Sequence, residues 1–347
     1  MMSANYLTYA AFALICLVLL TLPFVPAYRE WRHPSDIAAL PISPNYSSDI
    51  DHFAWRLKAD ATAKLGVGMP TGYEDFDFVS HPVESMDWSR AAKRLISPDS
   101  IDTSVAIRNS RPIYVEGDIR AGAGSAFSAL YATGNVELGA RSEINDWAHA
   151  DGILRLGPNS IALRRISAGT AIELGNEAWF ERLQAPTLRF GSRKSRVLPP
   201  AQADQTPASY ADLPGAIQQT PSLFLVRGDC ALPAAKIYRG SLIVTGFLTI
   251  DSATTVIGDI KARKGASIGR NAWVQGAVTC EKRVYVFQDA RVAGPLISES
   301  DILIGASAVI GLPDAQTTVS ALNIIVEDGV TIHGAIWAHE IGMVKPV

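Results

Sequence analysis

The sequence predicts an all-β fold: two three-sided parallel β-helix modules with coils of about 18 residues, after one transmembrane helix and a short helical collar. Three observations predict it. Glycines recur at a spacing of 18, each 18 divides into hexads with two inward-type positions, and an uncharged apolar run opens the chain. Such a period is the mark of a repeat architecture. Of the 347 residues, 48% are hydrophobic and 19% charged, which excludes wholesale disorder. A net charge of −3 argues against nucleic acid as a partner. Three cysteines make no disulfide framework, and no Cys/His spacing suggests zinc, so no cofactor or metal is expected.

Residues 1–33 hold the anchor. Leu7 to Ala27 is a run of 21 uncharged residues, enough to span about 30 Å of hydrocarbon. Tyr6, Tyr9 and Trp31 suit the two interfaces, and residues 1–6 carry no Lys or Arg, unlike the basic start of a signal peptide. Arg29, Arg32, Arg56, Lys58 and Lys64 all follow the run. The positive-inside rule then puts the N-terminus outside a bacterial inner membrane and the bulk in the cytoplasm, with the periplasm as the alternative.

Residues 34–103 read as a helical and loop collar. Ser48 to Leu65 predicts an amphipathic helix burying Phe53, Leu57 and Ala61, with Ser47 or Ser48 as its cap, and Met86 to Leu95 a second short helix. Glu74, Asp75 and Asp77, beside Phe76 and Phe78, read as a solvated loop with aromatic anchors.

The repeat is clearest in a second module, 222–347. Gly240, Gly258, Gly276 and Gly294 are 18 apart. Between them the hexads pair Ile260 with Ala262, Ala266 with Ile268, Ala272 with Val274, Val278 with Cys280, and so on to Ala308 with Ile310. Alternation by two makes each hexad a short strand with one buried face, and successive coils stack about 4.8 Å apart. Cys280 is then a small core residue, and Ser298 the one polar exception, bonded locally. A first module, 104–191, follows Gly139, Gly157 and Gly175. In it Glu137, Arg155 and Glu173 form an outward ladder of alternating charge. Residues 192–221, with Arg193, Lys194, Arg196, Pro199 and Pro200, read as a linker. An insertion, Leu312 to Thr318, interrupts the last coils.

The strings Val-Ile-Gly-Asp-Ile-Lys-Ala (256–262), Val-Gln-Gly-Ala-Val (274–278) and Val-Ala-Gly-Pro-Leu (292–296) resemble the bactofilins, bacterial polymer-forming cytoskeletal proteins. The resemblance covers roughly 240–340 well and the first module loosely. It implies a right-handed winding, nucleotide-free end-to-end assembly, and a cytoplasmic scaffold at the membrane that localises cell-envelope or exopolysaccharide enzymes. The membrane span, the collar and the doubled module depart from the family pattern.

The expected function is therefore a non-enzymatic membrane scaffold whose partners are the lipid bilayer, copies of itself and envelope-synthesis enzymes. The self-association end is expected in Ile324 to Val347, at Ile336, Trp337, Ile341 and Met343, because a terminal coil leaves unpaired backbone groups. Two enzymatic alternatives stand beside it. A left-handed β-helix acyltransferase would use a histidine base at a coil edge, with His149 near Asp146, His333 or His339 as candidates. An extracytoplasmic glycan-processing enzyme would need clustered carboxylates, and Glu143, Asp146 and Asp151 beside Trp147 are the local group.

Overall fold

The computed structural model describes residues 2–32, 50–66, 75–79, 83–192 and 205–346. The chain falls into two compact units, Met1–Asp49 and Ile50–Val347.

The first unit is helical. Helix α1 (Met2–Thr21) passes through a 3-10 turn at Leu22–Phe24 into α2 (Val25–Arg32). The turn falls where Pro23 removes a backbone donor. Tyr9–Arg29 is long and apolar enough, by length and composition, to cross a membrane.

The second unit is a parallel β-solenoid of about 14 turns with coils of about 18 residues. The strands of successive coils stack in parallel ladders. In the coils after 205, one ladder runs Leu223–Val226, Ser241–Val244, Ile260–Ala262, Val278–Cys280, Leu296–Ser298, each in parallel register with the next. The expected inward pairs are buried throughout, from Ile260 and Ala262 to Ala308 and Ile310. Cys280 is buried among them, and Ser298 donates to the Lys282 carbonyl at 2.9 Å. The glycine period has a steric cause. A Cβ on Gly276 would lie 2.3 Å from the Gly258 carbonyl oxygen, and one on Gly258 2.3 Å from that of Gly240. Stacked coils approach too closely at this corner for any side chain.

The coils before 192 follow the same rule. Arg155 pairs in register with Glu137 and Glu173, and the charge ladder extends to Arg120–Glu137 (3.2 Å), Arg155–Glu173 (2.7 Å) and Arg189–Glu173 (2.7 Å). These exposed pairs each contribute a few tenths of a kcal/mol.

The winding begins earlier than 104. Phe76–Phe78 is a strand in register with Arg94–Ser97, so Asp77 of the expected acidic loop is part of the sheet, 3.5 Å from Lys93, with Phe76 buried beside it; Glu74 lies outside the described residues. The helix expected over Met86–Leu95 is a 3-10 turn at Trp88–Arg90, followed by that strand. Pairing of Leu95 and Ile96 with Ile113 and Tyr114 outweighs the short helical pattern. Val79, Val83 and Trp88 close this end of the core. Helix α3 (His52–Leu65) starts after Asp51, and the expected caps Ser47 and Ser48 lie outside the described residues. It buries Ala54, Leu57 and Ala61, and Phe53 is exposed instead.

The expected linker folds in part. Within 192–221, Thr206–Ala208 pairs in parallel with Lys236–Arg239, and Ala216–Thr220 forms an antiparallel hairpin with Leu223–Val226. Tyr210 lies between them, buried, with ring centroids 4.9 Å from Tyr238 and 5.3 Å from Phe224. It plugs the start of the later coils. Arg193, Lys194 and Arg196 lie outside the described residues.

The C-terminal end is not open. Strand Thr331–Lys345 pairs in parallel with Thr317–Glu327 on one side and antiparallel with Trp179–Phe190 on the other. Glu177 N–H donates to the Val344 carbonyl at 2.8 Å, Val344 N–H to Ala178 at 2.9 Å, and Phe190 N–H to Val330 at 3.1 Å. Ile336 is 0% exposed opposite Leu183, Met343 stands opposite Trp179, and Trp337 opposite Arg182. Ile336, Trp337, Ile341 and Met343 therefore stand in or beside this seam, where the strand that carries them is paired on both sides. One hydrophobic core runs unbroken from Val79 to Val344 through this seam.

Candidate functional site

The most chemically varied surface is the outer side of the ladder that α3 covers. Alternation sends every second side chain of each strand outward. One outward column reads Ile96, Tyr114, Tyr131, His149, Ser167, Gln184 and Ala335, each in register with the next. The adjacent column reads Ala129, Trp147, Arg165, Arg182 and Trp337. Trp147 pairs with Ala129 and Arg165, and Arg182 with Trp337. Arg165 and Arg182 are neighbours because Ile166 pairs with Leu183.

Helix α3 lies on the first column. Ala54, Leu57 and Ala61 pack with Phe76, Ile96, Tyr114 and Tyr131 in a second hydrophobic cluster. Tyr114 and Tyr131 stack at 5.5 Å and Tyr131 and His149 at 5.2 Å, while Trp55 tilts over His149 at 5.5 Å. Ion pairs Lys58–Asp151 and Arg94–Asp60, both 2.8 Å, pin the helix. Each joins half-buried groups, which strengthens them over the fully exposed pairs.

His149 is the centre of this contact, 4% exposed beneath the helix. Its Nδ1 lies 2.8 Å from Ser167 Oγ and its Nε2 3.2 Å from Asp151 Oδ1. Tyr131 Oη donates to the same oxygen of Asp151 at 2.5 Å, and Lys58 Nζ to the other at 2.8 Å. Burial holds the His149 pKa below its ordinary 6.5, against the pull of Asp151, so the imidazole is neutral at pH 7. Burial pushes the Asp151 carboxyl up, but the hydrogen bonds from Lys58 and Tyr131 outweigh it and hold the pKa below 3.8. Burial and the Asp151 carboxylate push the Tyr131 phenol up.

Ser167, His149 and Asp151 thus stand in the order of a nucleophile, a base and an orienting acid. Acyl transfer also needs N–H donors aimed at a developing oxyanion. The nearby Gly169 N–H donates to the Ala150 carbonyl at 2.9 Å. A cavity of about 330 Å³ beside the triad is lined by Trp55, Gln184, Pro186 and Gln316. The arrangement clamps α3: the partners of His149 and Asp151 are side chains of the helix and the column under it.

The other candidates disperse. Asp146 is not the carboxylate at His149; it accepts from Ser128 at 2.7 Å and lies 3.6 Å from Arg164 on the neighbouring column. His149 and Asp151 are two residues apart and share one side, whereas Asp146 is at an odd spacing from both. His333 sits at the seam, 3.3 Å from Thr187 Oγ1 and 3.3 Å from the Pro186 carbonyl. His339 lies 3.2 Å from Ser320 and against the Trp337 ring at 4.2 Å. Glu143 is exposed at the Ile161 rung. Among the described residues, no group of three or more His, Cys, Asp or Glu is placed to hold a metal ion.

Comparison with protein-family models, with curated proteins and with solved structures finds no match to this chain.

Proposed function

We propose that the protein is a membrane-anchored scaffold, a stiff rod that presents its flank to partner proteins and does not polymerise through its ends. The observation that carries this reading is the antiparallel seam between Trp179–Phe190 and Thr331–Lys345. The seam pairs the backbone edges of the two inner coil ends, while Trp88 and Tyr210 fill the core at the outer ones. Unpaired coil edges drive end-to-end growth of solenoids, and covered ends suppress it.

In this reading three ladders close a triangular cross-section. The coils before 192 and after 205 are two modules, joined tip to tip. The bactofilin resemblance of 240–340 implies right-handed winding and a place among envelope-building enzymes. The apolar N-terminal helix serves as a single-pass anchor with the rod on the cytoplasmic side. Tethering raises the local concentration of anything the flank recruits.

Two measurements test it. Sedimentation and negative-stain imaging of the full chain in detergent are expected to give discrete single rods; ordered filaments would overturn the covered-end reading. A reporter fused after Val347 is expected to report the cytoplasm, and a periplasmic signal would reverse the topology.

A further inference from the structure

The network under α3 holds one arrangement that clamping does not require: a serine proton directed at a neutral histidine beside a cavity. Asp151 is ionised and only accepts, so the hydrogen between it and His149 Nε2 belongs to the ring. That fixes the tautomer. Nδ1 then carries a lone pair, and Ser167 Oγ, 2.8 Å away, donates to it. The other acceptor near Ser167, the Ala148 carbonyl, lies at 3.5 Å, the far limit of a hydrogen bond. Tyr131 and Lys58 bond the two oxygens of Asp151 and hold that carboxylate in place. The clamp on α3 and the ordering of the imidazole are therefore one network. Ser167 and His149 are each 4% exposed, and both line the cavity of about 330 Å³.

We infer that Ser167 is the nucleophile of an esterase site for short, uncharged acyl esters, with His149 as its base and Asp151 as the residue that positions the base. Ser167 Oγ bonds to the acyl carbon, and its proton passes to His149 Nδ1. That proton moves on to the alcohol oxygen as its bond to the acyl carbon breaks. Water then attacks the acyl-serine and gives a proton to Nδ1, and Ser167 regains it as the acid departs. The sum is ester plus water to acid plus alcohol. Gly169 N–H is already bonded to the Ala150 carbonyl, so the donors for the oxyanion are the side-chain amides of Gln184 and Gln316, which line the same cavity. Gln184 is in register with Ser167 one rung on, about 4.8 Å away. The size of the cavity, at the small end of ligand sites, selects a short acyl chain, and Trp55, Ala185 and Pro186 give it an apolar wall. Its ionised lining residues, Asp51 and Asp151, are both acidic and only the second is paired with Lys58, so an anionic substrate is repelled. This adds an activity to the scaffold reading and does not rest on it.

The test uses the full chain in detergent micelles with two probes, a fluorophosphonate label and p-nitrophenyl acetate. The label is expected on Ser167, located by peptide mass spectrometry, and Ser167→Ala should abolish both labelling and hydrolysis. His149→Gln should slow hydrolysis at least 10²-fold. Gln184→Ala should lower kcat about 10²-fold and leave KM near its original value. The rate should fall as pH drops below 6.5 and His149 takes up a proton. Asp151→Asn removes the charge that draws that proton, so it should lower kcat and move the acid limb of the profile to lower pH. Melting temperature is read alongside, and if Ser167→Ala destabilises the chain, the labelled residue in the unsubstituted protein decides. No label, a label on another serine, or hydrolysis that survives Ser167→Ala overturns the assignment. Equal turnover of the anionic p-nitrophenyl hemisuccinate overturns the choice of uncharged esters. Sedimentation of the same samples is independent of both probes, so failure here leaves the non-polymerising rod standing or falling on its own data.

Discussion

Gly342→Ala should open the seam from the inside. Gly342 faces Phe180 across the antiparallel pair, and an added Cβ would lie 2.3 Å from Phe180 Cε2, 2.4 Å from Cδ2 and 2.5 Å from the Phe180 carbonyl oxygen. Ordinary carbon contacts are about 3.5–4.0 Å, so the strands must part by roughly 1 Å. The ring cannot swing away, because Phe180 is 2% exposed and packed on Phe190 at 5.5 Å. Overpacking of this kind costs about 1–3 kcal/mol. Weakening the neighbouring Val344–Ala178 hydrogen bond adds up to about 1 kcal/mol. A loss of roughly 2–3 kcal/mol lowers the melting temperature of a unit this size by about 3–5 °C. The assay is thermal unfolding by circular dichroism of the full chain in micelles, with Gly66→Ala as control. A Cβ on Gly66 meets nothing closer than the Thr62 carbonyl at 3.5 Å. If Gly342→Ala melts within about 1 °C of that control, the described packing of the seam is wrong.

Three further outcomes follow from the same structure. The His149 pKa is lowered on folding, so the unfolded chain binds the extra proton; stability is present above pH 6.5 and lost as pH falls below it. Melting temperature should therefore drop between about pH 7.5 and 5.5, and His149→Gln should flatten that slope. Gly276→Ala sets a Cβ 2.3 Å from the Gly258 carbonyl oxygen, and in denaturant titration it should cost about 1–3 kcal/mol. Ala253 holds a left-handed corner at φ 57°, which costs a non-glycine residue about 1–2 kcal/mol, so Ala253→Gly should raise the melting temperature where most glycine substitutions lower it.

Much of the fold was legible because the period-18 glycines and period-two aliphatics report local facts: close stacking at a corner and an inward face. The paired buried positions from Ile260 to Ile310 needed nothing more. The seam was not legible. Trp179–Phe190 and Thr331–Lys345 carry the same alternation as every other coil, and nothing in that pattern says which partner covers the last one. The face of α3 was ambiguous for a similar reason. Phe53, Leu57, Ala61 and Ala54, Leu57, Ala61 both fit helical spacing, and the flat aromatic column of Tyr114 and Tyr131 accepts the small Ala54. At the site, His149 was found but its acid was misassigned. Strand alternation alone favours Asp151 over Asp146. The partnership of Lys58 with Asp151, 93 residues apart, depends on how α3 docks and leaves no local signal.

The central claim is that the seam closes within one chain, and a paired-cysteine experiment reads it directly. Gln184 and Ala335 are opposed across it, and antiparallel partners lie about 4.5–5.5 Å apart, within reach of a disulfide. In the full chain carrying Cys16→Ser, Gln184→Cys and Ala335→Cys, mild oxidation should give a single intrachain link, with monomer mobility and the two peptides joined after proteolysis. Covalent dimers as the sole product, or two free thiols, would contradict it.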